Sequence, residues 1–199
     1  MSELPRTRWE QADTGGYAER FARLIAEGED VQGEARLADT LLARGARVLD
    51  AGSGMGRIGA ALQVRGHQVL AAEKDPELVA ESRRRYPDLP VVETDLLALT
   101  AEHGTFDLVV LVGNVIVLAA PETERRMLAV LRDLLAPGGR ILVGFHPVNG
   151  HGSAREYPFA EFAADVEASG LVVQHRFGTY ELAPPAEDYV VAVLALSDR

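Results

Sequence analysis

Val48-Leu49-Asp50-Ala51-Gly52-Ser53-Gly54-Met55-Gly56-Arg57-Ile58-Gly59 decides how the rest of the chain is read. Val48 and Leu49 close a short buried strand, Asp50 stands at its tip, three alternating glycines turn the chain, and a helix follows. Glycine at a strand-to-helix turn reaches backbone angles closed to other residues and lets a ligand approach the main chain. Tight turns rarely need Gly52, Gly54 and Gly56 together, so the stretch reads as a loop that holds a small-molecule cofactor. Gly54-x-Gly56-x-x-Gly59 also fits the glycine string of dinucleotide sites, which is a weak signal alone.

Outward from this turn, strand and helix alternate. Strands are expected at 47–51, 68–73, 90–94, 106–112 and 140–145, and helices at 56–65, 76–85, 122–136 and 159–169. Pro76 opens its helix behind Asp75, a side chain suited to capping, and Pro137-Gly138-Gly139 stops the helix before it. The run at 106–112 is almost continuously apolar, as when helices cover both faces of a sheet. The segments 171–180 and 188–196 leave no room for a helix between them, so they pair antiparallel across Ala183-Pro184-Pro185-Ala186. The expected fold is α/β: a Rossmann-like, mostly parallel sheet with one antiparallel strand near its C-terminal edge and helices on both faces. Two helices, at 16–27 and 33–43, precede the first strand. The 199 residues read as one domain, with 1–45 a helical cap and 46–199 the core.

The composition narrows the partners. A net charge of −10 argues against nucleic acid, whose phosphates require clustered Lys and Arg. Arg83-Arg84-Arg85 reads instead as a solvated helix face behind Glu77 and Glu81. With no cysteine, disulfides and thiolate metal sites are out, and a reducing cytoplasm is the expected location. Met1-Ser2-Glu3-Leu4-Pro5 lacks the apolar centre of a secretory signal, and no run reaches the roughly 18 apolar residues of a membrane span.

Three carboxylates bear on the cofactor. Asp50 beside the glycine turn would repel a pyrophosphate and favour a cation. Glu73 ends the second strand, where a carboxylate can accept from both ribose hydroxyls. Asp95 ends the third and can accept from an adenine amine, although it could also cap a short turn. Adenine, ribose and a cation without phosphate describe S-adenosylmethionine.

Asp50-Ala51-Gly52-Ser53-Gly54-Met55-Gly56, then Glu73, then Asp95, then Phe106-Asp107-Leu108-Val109-Val110, then Leu135-Ala136-Pro137-Gly138-Gly139-Arg140 resemble the class I S-adenosylmethionine-dependent methyltransferases. The resemblance runs from about Gly33 to Leu196. It implies a seven-stranded sheet of order 3-2-1-4-5-7-6 with strand 7 antiparallel. It implies an S-adenosylmethionine site made by Asp50, Ala51, Gly52, Gly54, Glu73, Lys74, Asp95, Leu96, Val112 and Gly113. The glycine loop would hold the methionine part, Glu73 the ribose, and Asp95 with the Leu96 backbone the adenine. Asp107, at the start of the fourth strand, would be structural.

The acceptor is less legible. His146, just past the fifth strand, is the candidate base, because imidazole titrates near neutrality. Asn114 could hydrogen-bond an acceptor, and Tyr17 could cover the methyl group. The Asp/Asn-Pro-Pro-Tyr motif of amino-group methyltransferases is missing after the fourth strand, which disfavours DNA or protein-glutamine acceptors. A short insert after the fifth strand favours a small molecule. No metal is expected, since His146 and His151 lack a third ligand. His67, His103 and His175 read as surface or loop residues, and Phe21 as core. Two other readings stay open: an NAD-binding oxidoreductase, and an S-adenosylmethionine-binding protein without catalysis.

Overall fold

The computed structural model describes residues 4–12, 16–148, 150 and 152–197, the side chains of Tyr17, Ala18, Ala22 and Ile25 excepted. Seven strands form one sheet: β1 (Arg47–Ala51), β2 (Gln68–Glu73), β3 (Val91–Glu93), β4 (Phe106–Leu111), β5 (Leu135–Phe145), β6 (Leu171–Phe177) and β7 (Val190–Leu196). Their order is β3-β2-β1-β4-β5-β7-β6. All neighbours run parallel except at β7, which lies antiparallel to both β5 and β6.

The apolar runs fill two cores because successive strand residues point to opposite faces. Val48, Leu108, Val110, Leu142, Val191 and Val193 face one side. There they meet α2 (Gly33–Thr40) and α3 (Arg57–Val64) through Ala35, Leu37, Ile58 and Leu62. Leu49, Val109, Leu111, Ile141, Val143 and Phe145 face the other side. They meet α5 (Glu124–Asp133) and α6 (Phe159–Ala168) through Leu128, Leu131, Phe162 and Val166. A run apolar at every position is therefore one strand serving two layers of helix.

α4 (Pro76–Arg85) begins as its sequence dictates: Asp75 Oδ1 accepts the N–H groups of Glu77 and Leu78 at 2.9 and 3.4 Å. Its Arg84 and Arg85 bind Glu81 at the surface, which holds that carboxyl at about 2. Asp107 Oδ2 accepts the Arg47 N–H at 2.8 Å and stitches β4 to the start of β1.

Some details depart from the sequence reading. α5 starts at Glu124 rather than 122, because Glu122 holds φ +62, outside the right-handed helical region. β5 begins at Leu135, opposite Phe106, and then bulges through Pro137 and Gly138 (φ +76) until Arg140 pairs with Leu108. The Pro-Gly-Gly thus lies inside an irregular strand rather than only ending a helix. His67 is buried, with Nε2 2.9 Å from Asp39 Oδ1.

Gly144 in β5 shows how tightly the C-terminal half closes. A Cβ there would collide with Tyr180 Oη and stand 3.1 Å from Tyr189 Oη. Gly144→Ala is expected to cost about 1–3 kcal/mol, the usual penalty of overpacking. Urea denaturation checks this, and an unchanged midpoint would show that the two tyrosines yield freely.

Candidate functional site

The strand order reverses between β1 and β4, so the loops that follow them diverge and leave a crevice at their C-terminal ends. The glycine turn fills the floor of that crevice. Gly52 has φ +75, and a Cβ on it would lie 2.6 Å from Val115 Cγ2. Glycine is therefore what lets the loop after β4 cross so close. Gly59 takes the Asp50 carboxylate instead: its N–H donates to Oδ2 at 2.8 Å, and a Cβ there would sit 3.0 Å from that oxygen.

Glu73 is the other anchor. Its Oε2 accepts the Gly54 N–H at 2.8 Å, while Oε1 accepts the N–H groups of Lys74 and Asp75 at 2.7 and 2.8 Å. Burial raises this carboxyl above its ordinary value, and the three N–H donors pull against that rise. A carboxylate has about four acceptor positions, so Glu73 retains capacity on Oε2.

Above the turn lies a cavity of about 490 Å³. Gly52, Gly54, Ala72, Glu73, Leu96 and Val112 are in its wall, as are Gly113, Val115 and Met127. Glu10, Glu73, Asp75, Glu77 and Asp95 face it with Arg6 and Lys74, five acids against two cations. Asp95 caps the turn Leu96–Ala98 through Oδ1, which accepts the Leu97 N–H at 2.8 Å, and its Oδ2 lies 3.0 Å from Lys74 Nζ.

Residues 4–12 cross this cavity as a strap, a role that no periodicity in the sequence reveals. On one bank, Trp9 Nε1 donates to Asp75 Oδ2 at 2.8 Å, and Lys74 Nζ bonds Glu10 Oε2 at 2.7 Å. Burial raises the Glu10 carboxyl, but hydrogen bonds from Lys74 and Thr7 outweigh it and hold it at about 2. On the other bank, Arg8 donates to the Ala119 carbonyl at 2.8 Å and pairs at 3.1 Å with Glu124, which is buried.

The expected site residues fall into four groups. Gly52, Gly54, Glu73, Lys74, Asp95, Leu96, Val112 and Gly113 line the cavity. Asp50 and Ala51 are buried and outside its wall. Asp50 shares a face of β1 with Val48, so its carboxylate goes under α3 rather than toward a ligand; burial pushes it up to about 7, so it is not a full charge near neutrality. The negative charge that faces the cavity comes from the wall carboxylates instead. Asn114 and His146 are outside that wall as well, Asn114 standing between the wall residues Gly113 and Val115, and the two are brought together: Asn114 Oδ1 accepts the His146 backbone N–H at 2.8 Å. Tyr17 opens α1 (Tyr17–Ala26), and its side chain lies outside the described residues, as does His151. Phe21 lies under the Arg57 guanidinium, 4.8 Å from its ring centre, rather than in the core. Sequence reasoning missed Arg6, Thr7, Trp9, Glu10, Val115, Leu118 and Met127. Among the described residues no helix is long and apolar enough to cross a membrane, and no group of three His, Cys, Asp or Glu is placed to hold a metal.

A doubly wound sheet with a glycine turn, an acidic strand-end pair and a crevice above them defines a nucleoside-binding α/β protein. Residues 48–139 match the family model described as a methyltransferase domain. A TehB-like SAM-dependent methyltransferase from Corynebacterium glutamicum is 35% identical, with 92% of this chain and 97% of that chain covered and a TM-score of 0.83. The demethylmenaquinone methyltransferase of Beutenbergia cavernae is 39% identical over 109 residues, 53% of this chain and 43% of that protein, so the match spans less than half of that relative. The glycopeptide N-methyltransferase MtfA, complexed with S-adenosyl-L-methionine, shares the fold at 17% identity and a TM-score of 0.68, over 84% of this chain and 96% of that one. The chain belongs to the class I S-adenosylmethionine-dependent methyltransferases. It is an enzyme whose cofactor is S-adenosylmethionine, which decides against the oxidoreductase and non-catalytic readings.

The buried Asp50 carboxyl yields a measurable consequence. Its folded value of about 7 exceeds the ordinary 3.8, so its contribution to stability is complete below pH 4 and is lost as pH rises through 7. Asp50→Asn keeps an oxygen for the Gly59 N–H but cannot ionise. Relative to wild type, the variant is expected to gain stability from pH 4 to 7, by on the order of a few kcal/mol, and then level off. Urea denaturation across that range tests it; a difference independent of pH would mean that Asp50 titrates like a surface carboxylate.

Proposed function

We propose that this methyltransferase acts in the cytoplasm on a small-molecule acceptor, bound at the C-terminal ends of β4 and β5. The observation that carries this reading is the acidic cavity above the glycine turn, with Glu73 and Asp95 at successive strand ends. The residues fit S-adenosylmethionine: five wall carboxylates favour a cation, and Gly52, Gly54 and Gly113 in the wall present main chain to a ligand. When bound, the cofactor supplies an activated methyl group for in-line displacement. The chain's own residues supply alignment and exclusion of water.

In this assignment Gly52, Gly54 and Gly113 hold the methionine part, with Val112 beside them. Glu73 takes the ribose through its remaining Oε2 capacity, and Lys74 orders Asp95, whose carboxylate and the Leu96 backbone meet the adenine. Residues 1–45 act as a cap on the 46–199 core within one domain. His146 is the base, Asn114 stands behind it, and Tyr17 contributes to the cover over the methyl group. The small acceptor is supported by the net charge of −10, unsuited to nucleic acid, and by similarity to a relative whose name specifies demethylmenaquinone. The lack of cysteine fits a reducing compartment.

Methylation of a metabolite extract with radiolabelled S-adenosylmethionine tests the acceptor class; label confined to macromolecules would overturn it. Glu73→Ala is expected to weaken cofactor binding by roughly 1–3 kcal/mol in calorimetry, and unchanged affinity would remove Glu73 from the ribose. His146→Ala is expected to slow transfer at least tenfold while leaving cofactor affinity intact; an equal rate would remove it as base.

A further inference from the structure

Asn114 holds a backbone conformation that a side chain resists. Its φ is +72, directly after Gly113 at +71. Asparagine tolerates this region better than most residues, yet the strain still costs about 1 kcal/mol or more, and a second glycine would avoid it. Its backbone is held there by donating its N–H to the Gly144 carbonyl at 3.1 Å. What the side chain provides in return is visible at its oxygen. Oδ1 accepts the His146 backbone N–H at 2.8 Å and lies 3.1 Å from His146 Nδ1.

These two contacts set what Nδ1 carries. A backbone N–H only donates, so the amide atom facing it is the oxygen; the flipped amide would set donor against donor. An amide oxygen only accepts, so Nδ1, at 3.1 Å, carries the hydrogen. A neutral imidazole with Nδ1–H keeps its basic lone pair on Nε2. The Tyr189 ring meets the imidazole edge-on, with centroids 4.7 Å apart, and its hydroxyl bonds that of Tyr180 at 2.9 Å. Orientation as well as tautomer is thereby constrained.

We propose that Asn114 is a positioning residue that holds His146 in its Nδ1–H tautomer, making Nε2 the proton acceptor, so that the enzyme serves an O–H or N–H nucleophile that must lose its proton as it attacks. This rests on His146 as base. The step balances: the acceptor's proton passes to Nε2, the bond from its oxygen or nitrogen to methyl forms, and the sulfur–methyl bond breaks with its electron pair left on a neutral thioether. The positive charge lost at sulfur reappears on the imidazole. Asn114 thus serves His146 through its oxygen rather than holding the acceptor.

Histidine labelled with ¹⁵N reports the tautomer directly in the full chain at a pH where His146 is neutral, with no acceptor required. Wild type is expected to show protonated Nδ1 at His146, assigned by its loss in His146→Ala. Asn114→Ala is expected to let the Nε2–H form dominate and to slow methyl transfer into the metabolite extract at least tenfold with cofactor affinity unchanged. Asn114→Asp, which can still accept both donors, is expected to retain the Nδ1–H form. An Nε2–H signal in wild type, or an unchanged tautomer in Asn114→Ala, would overturn this inference and leave His146 as base standing. An unchanged transfer rate in His146→Ala would remove the base itself, and the role of Asn114 with it.

Discussion

Three backbone N–H groups converging on the Glu73 carboxylate hold the site together. The donor on Gly54 belongs to the turn after β1, and those on Lys74 and Asp75 to the turn after β2. One side chain therefore locks two loops that share no secondary structure. Without it, the Gly54 N–H would lose a buried charged acceptor, a loss of roughly 1–3 kcal/mol, and the glycine turn would be left to the Gly52 and Ser53 N–H groups, which both donate to the Ala72 carbonyl of the second strand. Asp50 plays a similar part on β1, tying Gly59 at the head of α3 to that strand. The two carboxylates differ in what remains: Asp50 is sealed off, whereas Glu73 still opens onto the cavity.

Much of this was readable in the chain. β1 and β2 and the helix capped by Asp75 have the bounds that their apolar runs and Pro76 dictate, since these are local signals. The sheet order came from resemblance, because hydrophobic pattern alone does not rank strands. Asp50 was misplaced although its direction was open to inspection: strand residues two apart share a face, and Val48 is core on the α3 side. The bulge in β5 was hidden because Pro-Gly-Gly signals a helix stop and an irregular strand equally well. The strap was beyond reach for a different reason. Its bonds join Trp9 to Asp75, Glu10 to Lys74 and Arg8 to Glu124, contacts across long stretches of sequence from a segment without periodicity.

Charge in this protein is arranged around the same cavity. The net −10 is not spread evenly, since five acids and two cations face one space. Lys74 is the cation that makes the arrangement tenable, bridging Glu10 of the strap and Asp95 of the third strand end. Burial alone would lower its basicity, but its two carboxylate partners outweigh that and raise it. The wall is accordingly acidic yet internally braced, which suits a ligand that brings a positive charge without phosphate.

The strap has two unequal moorings. Glu124 exposes 3% of its side chain beneath Arg8, whereas Lys74 and Glu10 each expose 32%. Dissolved ions weaken exposed pairs far more than sheltered ones. The Arg8–Glu124 mooring is therefore the one that keeps its strength as salt rises, and the Glu10–Lys74 mooring the one that weakens more.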